Sequence, residues 1–253
     1  MCRLLAYIGQ PRSLASLLYE PPHALVRQSY APRCQAHGRI NADGFGVGWY
    51  APEVRDEPAR YRTTTPMWSD RSFASVAGVI ASGTVVAAVR NATIGLPRDE
   101  SCTPPYTSGR WLFAHNGRID GFSPVEGATA KVALQRAISD TRLAGVEGAT
   151  DSEVVFAGVL DRLDAGAEPA EALTRAASDV LAIAPASRLN LTLSDGTVVY
   201  ATALGDTLFT RELDGGYVIA SEPYDDEAGW AEVPDRSLVV AQPESLSIGA
   251  FRD

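Results

Sequence analysis

The first apolar run, Leu4-Leu5-Ala6-Tyr7-Ile8, is unbroken, so Cys2–Ile8 is expected to be a strand buried on both faces, ended by Pro11. Ser13-Leu14-Ala15-Ser16-Leu17-Leu18-Tyr19 changes to a helical spacing, with Ser13 in the N-cap position and Pro21-Pro22 beyond the end. Ala24–Ser29 continues as a short helical stretch. In Asn41-Ala42-Asp43-Gly44-Phe45-Gly46-Val47-Gly48-Trp49-Tyr50, glycine alternates with larger residues. One face of that strand has no side chains, which predicts a close approach by a neighbouring segment. A phosphate loop would need a lysine and a following helix, and both are absent here.

Ala51–Glu57 reads as a polar loop, Tyr61–Thr65 as a strand, and Asp70–Ala81 as a helix closed by Gly83. Thr84–Arg90 is a buried strand that ends on a charge, and Arg90 is therefore either a site residue or a side chain emerging into solvent. Asn91–Arg110 is a long loop with three prolines, a length common in lids and binding loops. Trp111–His115 is a strand, and the Asn116-Gly117 that follows has the form of a hairpin turn. Ala128–Ser139 is helical. Thr150 and Glu153 form a capping box at the start of a helix over Val154–Leu163, and Pro169–Ile183 is a second amphipathic helix. Strands follow at Leu189–Ser194, Val198–Leu204, Leu208–Leu213, Tyr217–Ser221, Leu238–Ala241 and Leu246–Ile248, several joined by Asp-Gly and Gly-Gly turns. Strands, then helices, then strands predict an α+β fold with two sheets and helices outside them, as one domain over residues 1–253.

The chain has 253 residues, 45% of them hydrophobic and 21% charged, which is the composition of a folded domain. The net charge of −9 and the lack of a basic run argue against a nucleic-acid partner. No apolar run reaches membrane-spanning length, and the amino terminus lacks a signal-peptide pattern. Three cysteines, Cys2, Cys34 and Cys102, make neither a disulfide framework nor a zinc spacing. Free thiols and a cytoplasmic location are expected, with no metal and no cofactor. The oligomeric state is left open, homo-oligomers included.

Cys2 changes this picture. Removal of Met1 would make it the amino terminus, with a thiol and an α-amine on one residue. Such an amine has an ordinary pKa of about 7.7–8.0 and can take the thiol proton during attack on a carbonyl. No histidine partner is then needed, and His23, His37 and His115 are given no catalytic role. On its own, Cys2 could equally be a small buried hydrophobe.

Four segments in order decide between these readings: Cys2; Ala88-Val89-Arg90-Asn91-Ala92-Thr93-Ile94-Gly95; Ala114-His115-Asn116-Gly117-Arg118-Ile119; and Thr150-Asp151-Ser152-Glu153. Together they resemble the class II glutamine amidotransferases, which are N-terminal-nucleophile hydrolases with a four-layer αββα sandwich. The resemblance implies that Cys2 attacks the γ-carbonyl of a glutamyl group and forms a thioester. It implies an oxyanion hole from the Asn116 side chain and the Gly117 N–H. Arg90 would clamp the substrate α-carboxylate, Asp151 would receive the α-ammonium, and Thr93 would touch the substrate. Many members have histidine where Ile94 stands, which implies altered surroundings for the glutamyl pocket. Cys34 and Cys102 are bystanders in this reading. No second domain is evident to consume ammonia, so either a separate subunit receives it or the chain only hydrolyses; the opening Met1-Cys2-Arg3-Leu4-Leu5-Ala6-Tyr7 and the stretch from Asn41 to Trp49 resemble short stand-alone members, which implies hydrolysis of a small γ-glutamyl amide. The alternatives are a glutaminase subunit serving a separate synthase and a non-catalytic binding relic. Trp68, Tyr106 and Trp111 are candidates to hold a cationic leaving part by cation–π attraction.

Overall fold

The computed structural model describes residues 2–251; the expected removal of Met1 lies outside them. β1 (Arg3–Ser13) runs on past Pro11. Its register against a partner strand shifts between Ile8 and Arg12, and such an irregularity accepts a proline without losing a ladder bond. α1 (Leu14–Leu18) starts on Ser13, whose Oγ accepts from the Ser16 N–H at 3.1 Å. α2 (Leu25–Gln28) follows. β2 (Phe45–Ala51) and β3 (Arg55–Thr63) are a hairpin, so the expected loop over 51–57 shrinks to a tight turn. Pro58 is tolerated because β3 is an edge strand. α3 (Arg71–Ala77) begins on the Asp70 carboxylate and ends at Gly78, while Gly83 lies inside β4 (Ala81–Val89).

The long loop is interrupted by a 3₁₀ turn (Glu100–Cys102) and by β5 (Tyr106–Ser108), which pairs with β6 (Trp111–Arg118). Asn116-Gly117 is not a turn. Both residues lie within β6, with Asn116 opposite Asn190 and Gly117 opposite Leu189. The pairing partner for this end of β6 is more than seventy residues away, and local turn chemistry cannot report it. α4 (Thr129–Arg136) and α5 (Asp140–Ala144) replace the single helix expected over 128–139. Ser139 divides them, because its Oγ caps α5. α6 (Asp151–Asp164) and α7 (Pro169–Ile183) stand as expected. β7 (Arg188–Ser194), β8 (Val199–Ala203), β9 (Phe209–Leu213), β10 (Gly216–Ala220), β12 (Ser237–Gln242) and β13 (Ser245–Ala250) match the expected strands to within a few residues. The two-residue β11 (Ala231–Glu232) had no signal in the sequence.

The strands form a seven-stranded sheet, β11-β9-β10-β1-β4-β2-β3, and a six-stranded sheet, β13-β12-β8-β7-β6-β5. Side-chain alternation sorts their residues into layers. Leu4, Ala6 and Ile8 of β1, Val86 and Ala88 of β4, and Leu112 and Ala114 of β6 form a core between the sheets. Leu5 and Tyr7, with Val85, Ala87 and Val89, face the other way and pack under α1–α3. Phe113 and Leu189, Leu191 and Leu193 of β7 pack under α4, α6 and α7. Each fully buried Leu or Phe in these layers contributes about 1.5–3 kcal/mol. The result is the four-layer αββα sandwich of the N-terminal-nucleophile hydrolase type.

Candidate active site

The register of the first sheet assembles one wall. Arg3 lies opposite Val89, so Cys2 and Arg90, one residue further along each antiparallel strand, come out side by side at the same edge. The stretch before β2 holds this edge in place. The Arg90 N–H donates to the Gly44 carbonyl at 2.8 Å, the Asp43 N–H to the Arg90 carbonyl at 2.9 Å, and the Ala92 N–H to Asp43 Oδ2 at 2.8 Å. The glycines of β2 make room: a Cβ on Gly46 would lie 2.3 Å from the Pro104 carbonyl oxygen, as the expected close approach requires.

The other wall comes from β6 and the start of α6. Thr150 caps that helix through its hydroxyl, and the Glu153 carboxylate accepts from the Gly148 N–H at 2.8 Å and the Thr150 hydroxyl at 3.0 Å. Burial pushes the Glu153 carboxyl pKa up, and these bonds offset part of the rise. Asp151 is 6% exposed. Its Oδ1 accepts from the Ser152 N–H at 2.9 Å and its Oδ2 from the Ile119 N–H at 3.0 Å, so the carboxylate is held from two elements.

Cys2, Arg90, Thr93, Gly117 and Asp151 line a single cavity. Arg90 does not emerge into solvent: it is 4% exposed, with Nη2 donating to the Pro97 carbonyl at 2.8 Å. Its Nη1 is buried and has no hydrogen-bond partner. Asn116 is fully buried on the inter-sheet side, outside the cavity lining, with Nδ2 at 3.4 Å from Ser221 Oγ and Oδ1 unpartnered. The Ser221 hydroxyl in turn accepts from the Leu4 N–H, which ties Asn116 to the start of β1.

The family model for class II glutamine amidotransferases matches residues 23–213. The chain belongs to this family. It is 42% identical over 240 residues to the γ-glutamyl-hercynylcysteine sulfoxide hydrolase of Mycolicibacterium smegmatis, covering 94% of this chain and 95% of that protein. A solved glutamine aminotransferase class-II domain protein from Silicibacter pomeroyi superposes with a TM-score of 0.72 at 28% identity, over the whole of both chains. Glutamine phosphoribosylpyrophosphate amidotransferase of B. subtilis shares the fold alone, with a TM-score of 0.71 at 14% identity over 99% of this chain and 49% of that one.

Several residues that line this cavity were not among the sequence candidates. His115, Ser152, Cys102, Pro104 and Leu96 line the same cavity. Cys102 is a wall residue rather than a bystander, and it is fully buried. Ile94 lies outside the lining, 82% exposed. Of the three aromatic candidates only Tyr106 reaches the cavity; Trp68 packs edge-on against Tyr30, and Trp111 lies under the Arg110 guanidinium. Tyr106 is buried, with its hydroxyl donating to the Cys102 carbonyl at 3.0 Å. Burial raises its pKa well above the usual phenol value. A second cavity of about 110 Å³, lined by Arg60, Arg142, Glu147 and Glu153 together with Ser108 and Thr141, opens beyond Tyr106. Arg3 is fully buried behind Cys2, with Nε donating to the Cys2 carbonyl at 2.8 Å. Among the described residues no helix is long and apolar enough to cross a membrane.

Proposed function

We propose that residues 1–253 act as one domain that hydrolyses γ-glutamyl-hercynylcysteine sulfoxide to glutamate and hercynylcysteine sulfoxide, a step of ergothioneine biosynthesis. With Met1 removed, the Cys2 thiol adds to the γ-carbonyl while the α-amine takes its proton. The C–N bond breaks, the proton passes to the leaving amine, and a thioester remains. Water then attacks the thioester, glutamate departs, and the thiol is regenerated. The Gly117 N–H stabilises the negative oxygen, and the Asn116 Nδ2, which rests 3.4 Å from Ser221 Oγ outside the cavity lining, joins it by turning toward Cys2, an effect typically worth about 2.7–4 kcal/mol per donor. Arg90 holds the α-carboxylate, Asp151 the α-ammonium, and Thr93 contacts the glutamyl chain.

The observation that carries this reading is Arg90, which lines the cavity with Cys2 and Asp151 and whose buried Nη1 is a cationic donor without a partner. Buried donors are normally paired, and a guanidinium edge is matched by a carboxylate. Asp151 across the same cavity is matched by an ammonium, and an α-amino acid end supplies both charges. The relative of known substrate name, matched over nearly its full length, supports the leaving group.

The test measures glutamate released from γ-glutamyl-hercynylcysteine sulfoxide and, separately, from L-glutamine, with Cys2→Ala as the blank. Much faster cleavage of the first is expected. Glutamine-favouring rates would remove the substrate assignment and direct the search to a partner synthase. An intact mass that retains Met1, with no turnover of either compound, would sink the catalytic reading.

A further inference from the structure

Two polar side chains that meet between β6 and the start of α6 have no part in the steps above. His115 and Ser152 both line the cavity with Cys2 and Asp151. His115 Nε2 lies 2.9 Å from the Arg188 carbonyl oxygen, which can only accept, so Nε2 carries the ring proton. Gly117 allows this approach: a Cβ there would lie 1.9 Å from the Arg188 oxygen and 2.6 Å from His115 Nε2. In the neutral ring Nδ1 is then a bare acceptor, 3.1 Å from Ser152 Oγ. Ser152 has one hydroxyl proton and two acceptors in reach, the second being Asp151 Oδ1 at 3.3 Å. Giving that proton to Asp151 would set a buried ring lone pair against a hydroxyl lone pair with no donor between them, a costly arrangement. Giving it to His115 costs Asp151 little, because Oδ1 already accepts from the Ser152 N–H.

We propose that His115 is a positioning residue that keeps the Ser152 hydroxyl turned away from Asp151, leaving the carboxylate's remaining lone pairs to the substrate ammonium. This rests on the proposed role of Asp151. Without the Nδ1 acceptor the hydroxyl swings to Asp151 and competes with the substrate. The bound amine loses part of its partner, while the reacting carbonyl, held elsewhere, does not.

The experiment is a mutant cycle read as KM and kcat on a γ-glutamyl amide. His115→Leu is expected to raise KM roughly tenfold, the scale of a hydrogen bond to a charged group, with kcat kept. Adding Ser152→Ala to that variant should restore KM, because the competing hydroxyl is gone. His115→Asn, whose side-chain oxygen falls near the position of Nδ1, should stay close to the parent KM. A double variant whose KM stays as high as that of His115→Leu would overturn the proposal, since loss of packing is not repaired by removing a hydroxyl. Should His115→Leu fail to fold, the unmutated protein gives the answer by nitrogen NMR: a proton on Nδ1 in place of Nε2 overturns the assignment. Asp151→Asn separates the two layers. It should abolish the preference for a γ-glutamyl over a glutaryl amide, which lacks the α-amine. If that preference survives, the role of Asp151 itself falls; if it is lost and the cycle shows no rescue, only the assignment of His115 falls.

Discussion

Gly117 must satisfy two demands at one position. Its N–H is the proposed oxyanion donor, and its missing side chain admits the Arg188 carbonyl. A methyl group there would meet backbone at 1.9 Å, and backbone cannot rotate away as a side chain can. Gly117→Ala is therefore expected to cost roughly 1–3 kcal/mol of stability and to abolish most glutamate release, since the strand must shift and carry its N–H with it. Gly249→Ala, where nothing lies within 4 Å of the added carbon, is the control and should leave both unchanged. Thermal melts and the glutamate assay on the two variants check this, and a Gly117→Ala protein with parent activity would refute the argument. Cys2, Arg90, Thr93, Gly117 and Asp151 were legible as short linear motifs, and one cavity contains all five. His115 and Ser152 were not, because a histidine in a strand and a serine in a helix's first turn look like ordinary structural residues. Their meaning depends on the Arg188 carbonyl, 73 residues from His115 along the chain.

At the scale of elements, the start of α6 combines capping with site geometry. Glu153 is 6% exposed, and burial raises its carboxyl pKa in the folded protein above that in the unfolded chain. The folded state therefore binds the proton more tightly. The stability linked to this group is fully present below the unfolded pKa and is lost as pH rises through the folded one. Glutamine is a neutral mimic of the protonated form: its oxygen can accept from the Gly148 N–H, and its amide can donate to Thr150 Oγ1. The Thr150 proton can then turn to the Tyr106 oxygen, 3.1 Å away. Glu153→Gln is thus expected to melt close to the parent at about pH 4, near the ordinary glutamate pKa, and above it at pH 7. A variant less stable than the parent at pH 7 would mean that the cap bonds outweigh the burial. The helices and most strands were legible because period and capping chemistry are local. Among the strands, the errors lie where a distant partner decides: Pro11 continues β1 through a register shift, Pro58 sits on an edge strand, and β5 exists only because β6 pairs with it.

For the whole molecule, two sheets with helices outside them were legible in the order of elements and the αββα sandwich in the family resemblance; a close approach at β2 was legible too, but not which segments make it. The glycine face of β2 sets that approach. A Cβ on Gly48 would lie 2.6 Å from Leu112 Cδ2, the movable end of a side chain on the opposite sheet. A Cβ on Gly46 would lie 2.3 Å from the Pro104 carbonyl oxygen, which is backbone in the segment that also lines the cavity. The same methyl group should therefore have different effects two residues apart. Gly48→Ala can be absorbed by a rotamer change of Leu112 in the inter-sheet core, at roughly 1–3 kcal/mol of stability, with KM unchanged. Gly46→Ala has to displace Pro104, and with it the wall between Cys102 and Tyr106, so it should lose stability and raise KM together. Melting temperatures and KM for a γ-glutamyl amide on both variants decide the matter. If Gly46→Ala loses stability while KM holds, the sheet contact does not set the shape of the cavity, and the glycine face of β2 is a packing device alone.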